Sequence, residues 1–162
     1  ESAELSRRLR AAGHFLTIET AGTVACPGVD ADLMSISPKL SHSTPWERAE
    51  AEGKPTLAQR HEAARIDEAV LRELLTFPWQ LKFVVRTSQP DQLDADLREI
   101  DALLERLRVR AGERDQVLLM PEGIEAKQLE RGYRALVEPC RTRGYRLGVR
   151  LHIHIFGHTP GT

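Results

Sequence analysis

Three short stretches set groups that can hold a polar ligand directly after apolar runs. Glu19-Thr20-Ala21-Gly22-Thr23 follows the run ending at Ile18, and Ser37-Pro38-Lys39 follows Leu33-Met34-Ser35-Ile36. Met120-Pro121-Glu122-Gly123 closes the run that begins at Val117. An ammonium, two carboxylates, hydroxyls and tight turns suit a small ligand bearing carboxylate, amine and hydroxyl groups. Each stretch also has a plainer reading. Lys39 can be a solvated surface lysine, and Pro38 can simply hold Ser37 extended and end a strand. Residues 120–123 can be a turn with Glu122 in water, and Glu19 can be a helix-cap partner. A fourth group is His152 and His154. On a strand they share one face, and with His158 or Glu122 as a third ligand they could bind zinc.

These groups need elements to position them. Ser2 reads as the cap of a helix carrying Leu5, Leu9 and Ala12, with Gly13 as its stop. "HFLTIET" (14–20) and "DLMSIS" (32–37) read as strands. Pro38, Pro45, Gly53 and Pro55 make 38–55 a long loop, beyond the roughly 12–15 residues at which loops are usually functional or disordered. Pro55-Thr56 opens one long helix through Ala63, Ile66, Val70 and Leu74, with Thr56 and Gln59 as a capping box. "QLKFVV" (80–85) is a strand. Leu93, Leu97, Ile100, Leu104 and Leu107 keep helical spacing, with Ser88 or Pro90 near the start. "QVLLMPEG" (116–123) is a strand and turn. Leu129, Tyr133, Leu136 and Cys140 form a further helical face stopped by Gly144, and "RLGVRLHIHIF" (146–156) is the last strand.

Alternating helices and continuously apolar strands imply an α/β fold with a mostly parallel sheet, helices outside and the C-terminal strand ends on one rim. A complete eight-fold barrel takes about 250 residues. The 162 residues here fit a single domain, 1–162, forming an open sheet or a partial barrel. With 41% hydrophobic and 29% charged residues the chain is globular, and a net charge of -1 offers no basic field for nucleic acid or an anionic membrane. No apolar run approaches the roughly 20 residues of a spanning helix. Two cysteines, Cys26 and Cys140, make no disulfide framework, so a reducing cytoplasm is the expected compartment. The sequence begins at Glu1 in a helix-like segment, from which a missing N-terminal part is expected.

The segments "TIETAGT" (17–23), "DLMSISPKLS" (32–41), "LKFVV" (81–85), "LMPEG" (119–123) and "RLHIHIFGHTPGT" (150–162), in this order, resemble the 7-carboxy-7-deazaguanine synthase family of radical S-adenosylmethionine enzymes. The likeness runs along nearly the whole chain, with 41–60 the least familiar part. It implies a partial β/α barrel whose N-terminal strands are missing, and conversion of 6-carboxy-5,6,7,8-tetrahydropterin to 7-carboxy-7-deazaguanine with loss of ammonia. The implied cofactors are S-adenosylmethionine, a [4Fe-4S] cluster and Mg2+. The implied partners are a flavodoxin- or ferredoxin-type electron donor and a second copy in a homodimer, the product entering queuosine or other 7-deazapurine biosynthesis.

Carried over residue by residue, the resemblance sets Ser37, Pro38, Lys39, Met120, Pro121, Glu122 and Gly123 against S-adenosylmethionine. Glu19 becomes a ribose or substrate contact, and Thr162 a substrate contact through its terminal carboxylate. The sequence departs from the family in three respects. The three-cysteine motif for the cluster, the Gly-Gly-Glu-Pro motif and the magnesium-binding threonine are all absent, so neither catalytic residues nor metal ligands are assigned. The chain by itself is therefore expected to be inactive, with an unpaired strand edge near "HFLTIET". Two other functions fit the same residues: a degenerate S-adenosylmethionine- or pterin-binding module, and a metal-dependent hydrolase built on His152, His154 and Glu122.

Overall fold

A computed structural model describes residues 1–157 and Thr159. The strands are β1 (Thr17–Thr20), β2 (Leu33–Ile36), β3 (Trp79–Val85), β4 (Val117–Pro121) and β5 (Arg146–Leu147), in one sheet of order β1-β2-β3-β4-β5. The pairs β1–β2, β2–β3 and β4–β5 are parallel. The chain is thus α/β with an open sheet, and β1 is an edge strand, as expected. The chain divides into two compact units, Glu1–Leu81 and Lys82–Thr162.

In the first unit, α1 (Ser2–Ala11) precedes β1, and α2 (Trp46–Ala51), α3 (Pro55–Ala64) and α4 (Glu68–Leu74) lie between β2 and β3. Its core is Met34, Ile36, Leu71, Leu74 and Leu81, all fully buried. Three local expectations are corrected here. Ser2 is the first helical residue and Glu1 the N-cap, with no side-chain cap bond. The segment 38–55 is only partly loop, because Ser41–Ser43 forms a 3-10 turn and α2 follows, pinned through its buried Ala49. The single long helix is two. Asp67 stands extended and accepts from the Ala69 and Val70 amides at 3.0 and 3.1 Å, so it caps a new helix rather than continuing the old one. The box of Thr56 and Gln59 does not form, since α3 is capped by Lys54 without a side-chain bond.

In the second unit, α5 (Pro90–Arg106), α6 (Ala126–Arg143) and α7 (Leu151–Phe156) accompany β4, β5 and the second half of β3. Pro90 opens α5 at its first position, where a missing N–H is harmless. Leu97, Ile100 and Leu104 of α5 and Leu129 and Leu136 of α6 are buried, which is the helical periodicity expected, together with Phe83, Val85, Val117 and Leu119. The last strand is corrected. The Gly148 amide makes a final ladder bond to the Leu119 carbonyl at 2.8 Å, and residues 151–156 then coil into α7. Asp101 accepts from the Tyr145 hydroxyl at 2.7 Å and from Arg143 Nε at 3.1 Å. Burial, and then this carboxylate, push the Tyr145 phenol well above its usual range.

Asp96 is a buried carboxylate, 0% exposed, on the inner face of α5. It accepts from the Arg86 backbone amide at 2.8 Å and from Arg86 Nη2 at 2.6 Å, so it fastens α5 to the chain leaving β3. That hydrogen bonding raises the Arg86 guanidinium above its usual value. Asp96→Ala leaves a half-buried cation and a backbone N–H without their partner. It should lower the free energy of unfolding by about 2–4 kcal/mol in denaturant titration; a loss below about 1 kcal/mol would show that water replaces the carboxylate at little cost.

Candidate functional site

The Ser37-Pro38-Lys39 segment begins where the β2 ladder ends. The Ser37 amide gives one more bond, to the Thr20 carbonyl at 2.8 Å. Pro38 and Leu40 are then buried while Lys39 between them is exposed. Two apolar anchors thus hold a cation out of the fold, and no described side chain pairs with its ammonium. From behind, Arg65 Nη1 donates to the Lys39 carbonyl at 3.0 Å, and Arg65 Nε donates to Glu62 at 2.8 Å. The Thr44 hydroxyl donates to Glu62 at 2.6 Å, so its 3.0 Å contact with His61 Nδ1 makes that nitrogen the donor. The Thr44 bond, then Arg65, holds the Glu62 carboxyl below its usual value against the opposing effect of burial.

β4 ends in the same way in the second unit. Pro121 and Gly123 are buried and Glu122 between them is exposed. The Glu122 amide donates to the Val85 carbonyl at 2.8 Å, and Arg150 Nη1 reaches the Gly123 carbonyl at 2.7 Å. The Arg150 amide donates to the Tyr133 hydroxyl at 2.9 Å. Gly123 has φ 154°, and a Cβ there would stand 2.9 Å from Gln128. Glu122 lines a cavity of about 260 Å³ together with Thr87, Ser88, Gln128, Arg131 and Gly132. Met120 is half-buried at the end of β4.

Glu19 belongs to a polar row that sequence reading missed. Glu19, Ser35 and Gln80 are register partners on β1, β2 and β3. Gln80 Nε2 donates to Ser35 Oγ at 2.9 Å, and that hydroxyl donates to Glu19 Oε1 at 3.4 Å. Ser35 is fully buried and reads as apolar strand only because its neighbours are apolar. Arg65 and Arg150 were missed too. Each acts on a backbone carbonyl, and a long-range bond of that kind has no signature in local spacing. Asp67, which splits the helices, was the available hint that Arg65 sits at a helix end.

The histidine reading is corrected. His152 and His154 lie on α7, so two residues apart they point away from each other instead of sharing a strand face. His154 stacks on Tyr133 with ring centroids 5.7 Å apart. Among the described residues no group of three or more His, Cys, Asp or Glu is placed to hold a metal ion. Cys26 is half-buried and Cys140 buried, in different units, and burial raises the Cys140 thiol above its usual value. Cluster iron is held by a set of cysteine thiolates larger than two, and the sequence has only Cys26 and Cys140, so these two do not by themselves fit an iron–sulfur cluster. His158 and Thr162 lie outside the described residues. No described helix is long and apolar enough to cross a membrane.

Compared with known proteins, the chain is 41% identical over 158 residues to a 7-carboxy-7-deazaguanine synthase of Rhodopirellula baltica, covering 96% of this chain and 56% of that protein. It is 38% identical over 160 residues to a 7-carboxy-7-deazaguanine synthase of Halobacterium salinarum, covering 96% of this chain and 59% of that protein. The chain thus spans little more than half the length of these curated relatives. No family model and no solved structure matches it.

Arg65→Ala should release the Lys39 carbonyl. Amide protection at Ser43 and Thr44, bonded to the Leu40 and Ser41 carbonyls, should fall about tenfold, with Met34 and Ile36 unchanged, in native-state hydrogen exchange. A uniform loss across both groups would mean that Arg65 supports the unit as a whole. Glu62 has a depressed folded value, so its contribution is complete above the usual carboxyl range and fades as pH falls through the folded value. The stability gap between the parent and Glu62→Gln should therefore be flat at neutral pH and close on acidification.

Proposed function

We propose that the chain belongs to the 7-carboxy-7-deazaguanine synthases, with which 96% of its length aligns, and that it carries the cofactor-binding strand ends of a radical S-adenosylmethionine lyase. The reaction is the conversion of 6-carboxy-5,6,7,8-tetrahydropterin to 7-carboxy-7-deazaguanine with loss of ammonia. The observation that carries this reading is the 41% identity over 158 residues. On this reading the working protein is a cytoplasmic homodimer that takes electrons from a flavodoxin or ferredoxin.

The residues suit their parts. An ammonium held up between Pro38 and Leu40 meets the carboxylate of the methionine moiety, and a charge-assisted bond there is among the stronger ones available. Ser37 offers a hydroxyl beside it. In the second unit, Glu122 offers a carboxylate acceptor to hydroxyl or amino donors, in a cavity already edged with Thr87 and Ser88 hydroxyls. Glu19, bonded through Ser35 to Gln80, accepts from ribose or pterin donors in a fixed orientation. When bound beside a reduced cluster, S-adenosylmethionine supplies a 5'-deoxyadenosyl radical; the chain's part is to bind, orient and exclude water. Cys26 and Cys140 do not fit the cluster, and no magnesium ligands are assigned, so the whole reaction needs thiolates beyond these two.

The test is calorimetric titration of the chain with S-adenosylmethionine. Lys39→Ala should weaken binding about 10- to 100-fold, the equivalent of about 1.5–3 kcal/mol, with an unchanged unfolding midpoint. If Lys39→Ala unfolds the chain while the folded fraction keeps its affinity, the lysine is structural and the assignment is wrong. Incubated with iron and sulfide, the 162-residue chain should develop no cluster absorbance and form no 5'-deoxyadenosine. Turnover by it would overturn the division of labour. A longer chain with a full set of thiolates that binds S-adenosylmethionine yet forms no product would favour the binding module.

A further inference from the structure

The second unit holds another cavity, of about 850 Å³, at the opposite end of β4 from Glu122. It lies where α5 and α6 end and where the 3-10 segment Ala111–Gln116 leads into Val117. Its charged lining is Arg108, Arg110, Arg114 and Arg143 against Asp101 and Glu105, a net excess of two positive charges. Two of the guanidiniums are engaged, Arg143 with Asp101 and Arg110 with Glu113. Arg108 and Arg114 make no side-chain hydrogen bond or ion pair with any described residue.

Some basic residues here have a structural explanation. Cations near helix C-termini complement the helix dipole, and Arg143 in the last turn of α6 does so. Arg108 is different. It follows the C-cap Leu107, with its amide bonded to the Glu105 carbonyl at 3.0 Å and the next amide, Val109, bonded to the Leu104 carbonyl at 3.0 Å. This closing motif places its residue in the left-handed region, where glycine is usual. Arg108 has φ 60°, the one described residue other than glycine with a positive φ. The equivalent position after α6 is Gly144, with φ 72°. At two like helix ends the chain uses glycine once and an arginine once, and the arginine is the one that lines the cavity. A strained backbone that delivers a side chain to a site points to a use for that side chain.

We propose that this cavity binds a condensed phosphate, free or as the polyphosphate of a nucleotide, with Arg108 and Arg114 as the binding residues. Each unengaged guanidinium can take one phosphoryl group through two parallel N–H donors. Two such groups match a ligand with at least two linked phosphates, and the volume leaves room for a nucleoside. Glu105 and Asp101 oppose the anion, and Asp101 is already paired with Tyr145 and Arg143.

The full chain should be titrated with pyrophosphate, ATP and orthophosphate in separate calorimetric experiments without magnesium. Saturable one-site binding of pyrophosphate, at least tenfold tighter than orthophosphate, is expected. ATP tighter than pyrophosphate would identify a nucleotide as the source, and equal affinities would identify the inorganic anion. Arg108→Gly should weaken binding about tenfold or more while the unfolding midpoint holds or rises, because glycine suits the left-handed position better. Arg114→Ala should weaken binding similarly, and Glu105→Gln should tighten it. No saturable binding, orthophosphate as tight as pyrophosphate, or wild-type affinity in both arginine variants would overturn the site. So would a lower midpoint in Arg108→Gly, which would make Arg108 a structural residue.

Discussion

Lys39 and Gly123 each carry a backbone carbonyl just past the last ladder bond of a parallel strand, and a guanidinium from a later element reaches each one. A parallel strand leaves its sheet with polar backbone that its neighbour no longer satisfies. If that backbone only met water, the following residues would wander. Here the carbonyls are claimed, so the residues beside them are held. In both cases the residue that stands exposed between two buried neighbours carries a charge, and its backbone is held in place, Lys39 in one unit and Glu122 in the other.

The same economy of placement runs through the helices. Asp67 ends one helix register and begins another, which sets Arg65 at the junction facing back toward Lys39. Arg150 is set by the turn that takes the chain off β5, with its amide on Tyr133 and its guanidinium on Gly123. Neither arginine belongs to a strand, yet each determines what the end of a strand presents. In each unit the strand-end residue proposed to bind ligand thus depends on an arginine, 26 positions from the carbonyl it holds in the first unit and 27 in the second.

The strands β1 to β4, their order along the chain and the faces of α5 and α6 were legible because apolar periodicity dominates there. Leu97, Ile100, Leu129 and Leu136 are buried as their spacing requires. Legibility failed where short-range chemistry is ambiguous. Trp46–Ala51 hid among prolines, glycines and charges, and the apolar spacing of Ala63, Ile66, Val70 and Leu74 carries across Asp67 without marking the break that it caps. "LHIHIF" alternates like a strand, but a two-residue β5 and the capture of Arg150 turn it into a helix. The strand-end residues themselves were found by position. What holds them was not, because side chain to carbonyl bonds across more than twenty residues leave no local pattern.

The row Glu19, Ser35, Gln80 has a consequence for how the first unit assembles. Sliding β2 by one residue against its neighbours would bring Met34 or Ile36 to the level of Glu19 and Gln80 and carry Ser35 to the opposite face. Much the same apolar area could still be covered in such a slipped sheet. What would be lost is a buried hydroxyl's donor and acceptor, a penalty that burial cannot offset. A serine within an apolar strand thus acts as a key to alignment. It separates the native pairing from near misses that hydrophobic contact alone would tolerate, at the stage when strands from distant parts of the chain are still finding one another.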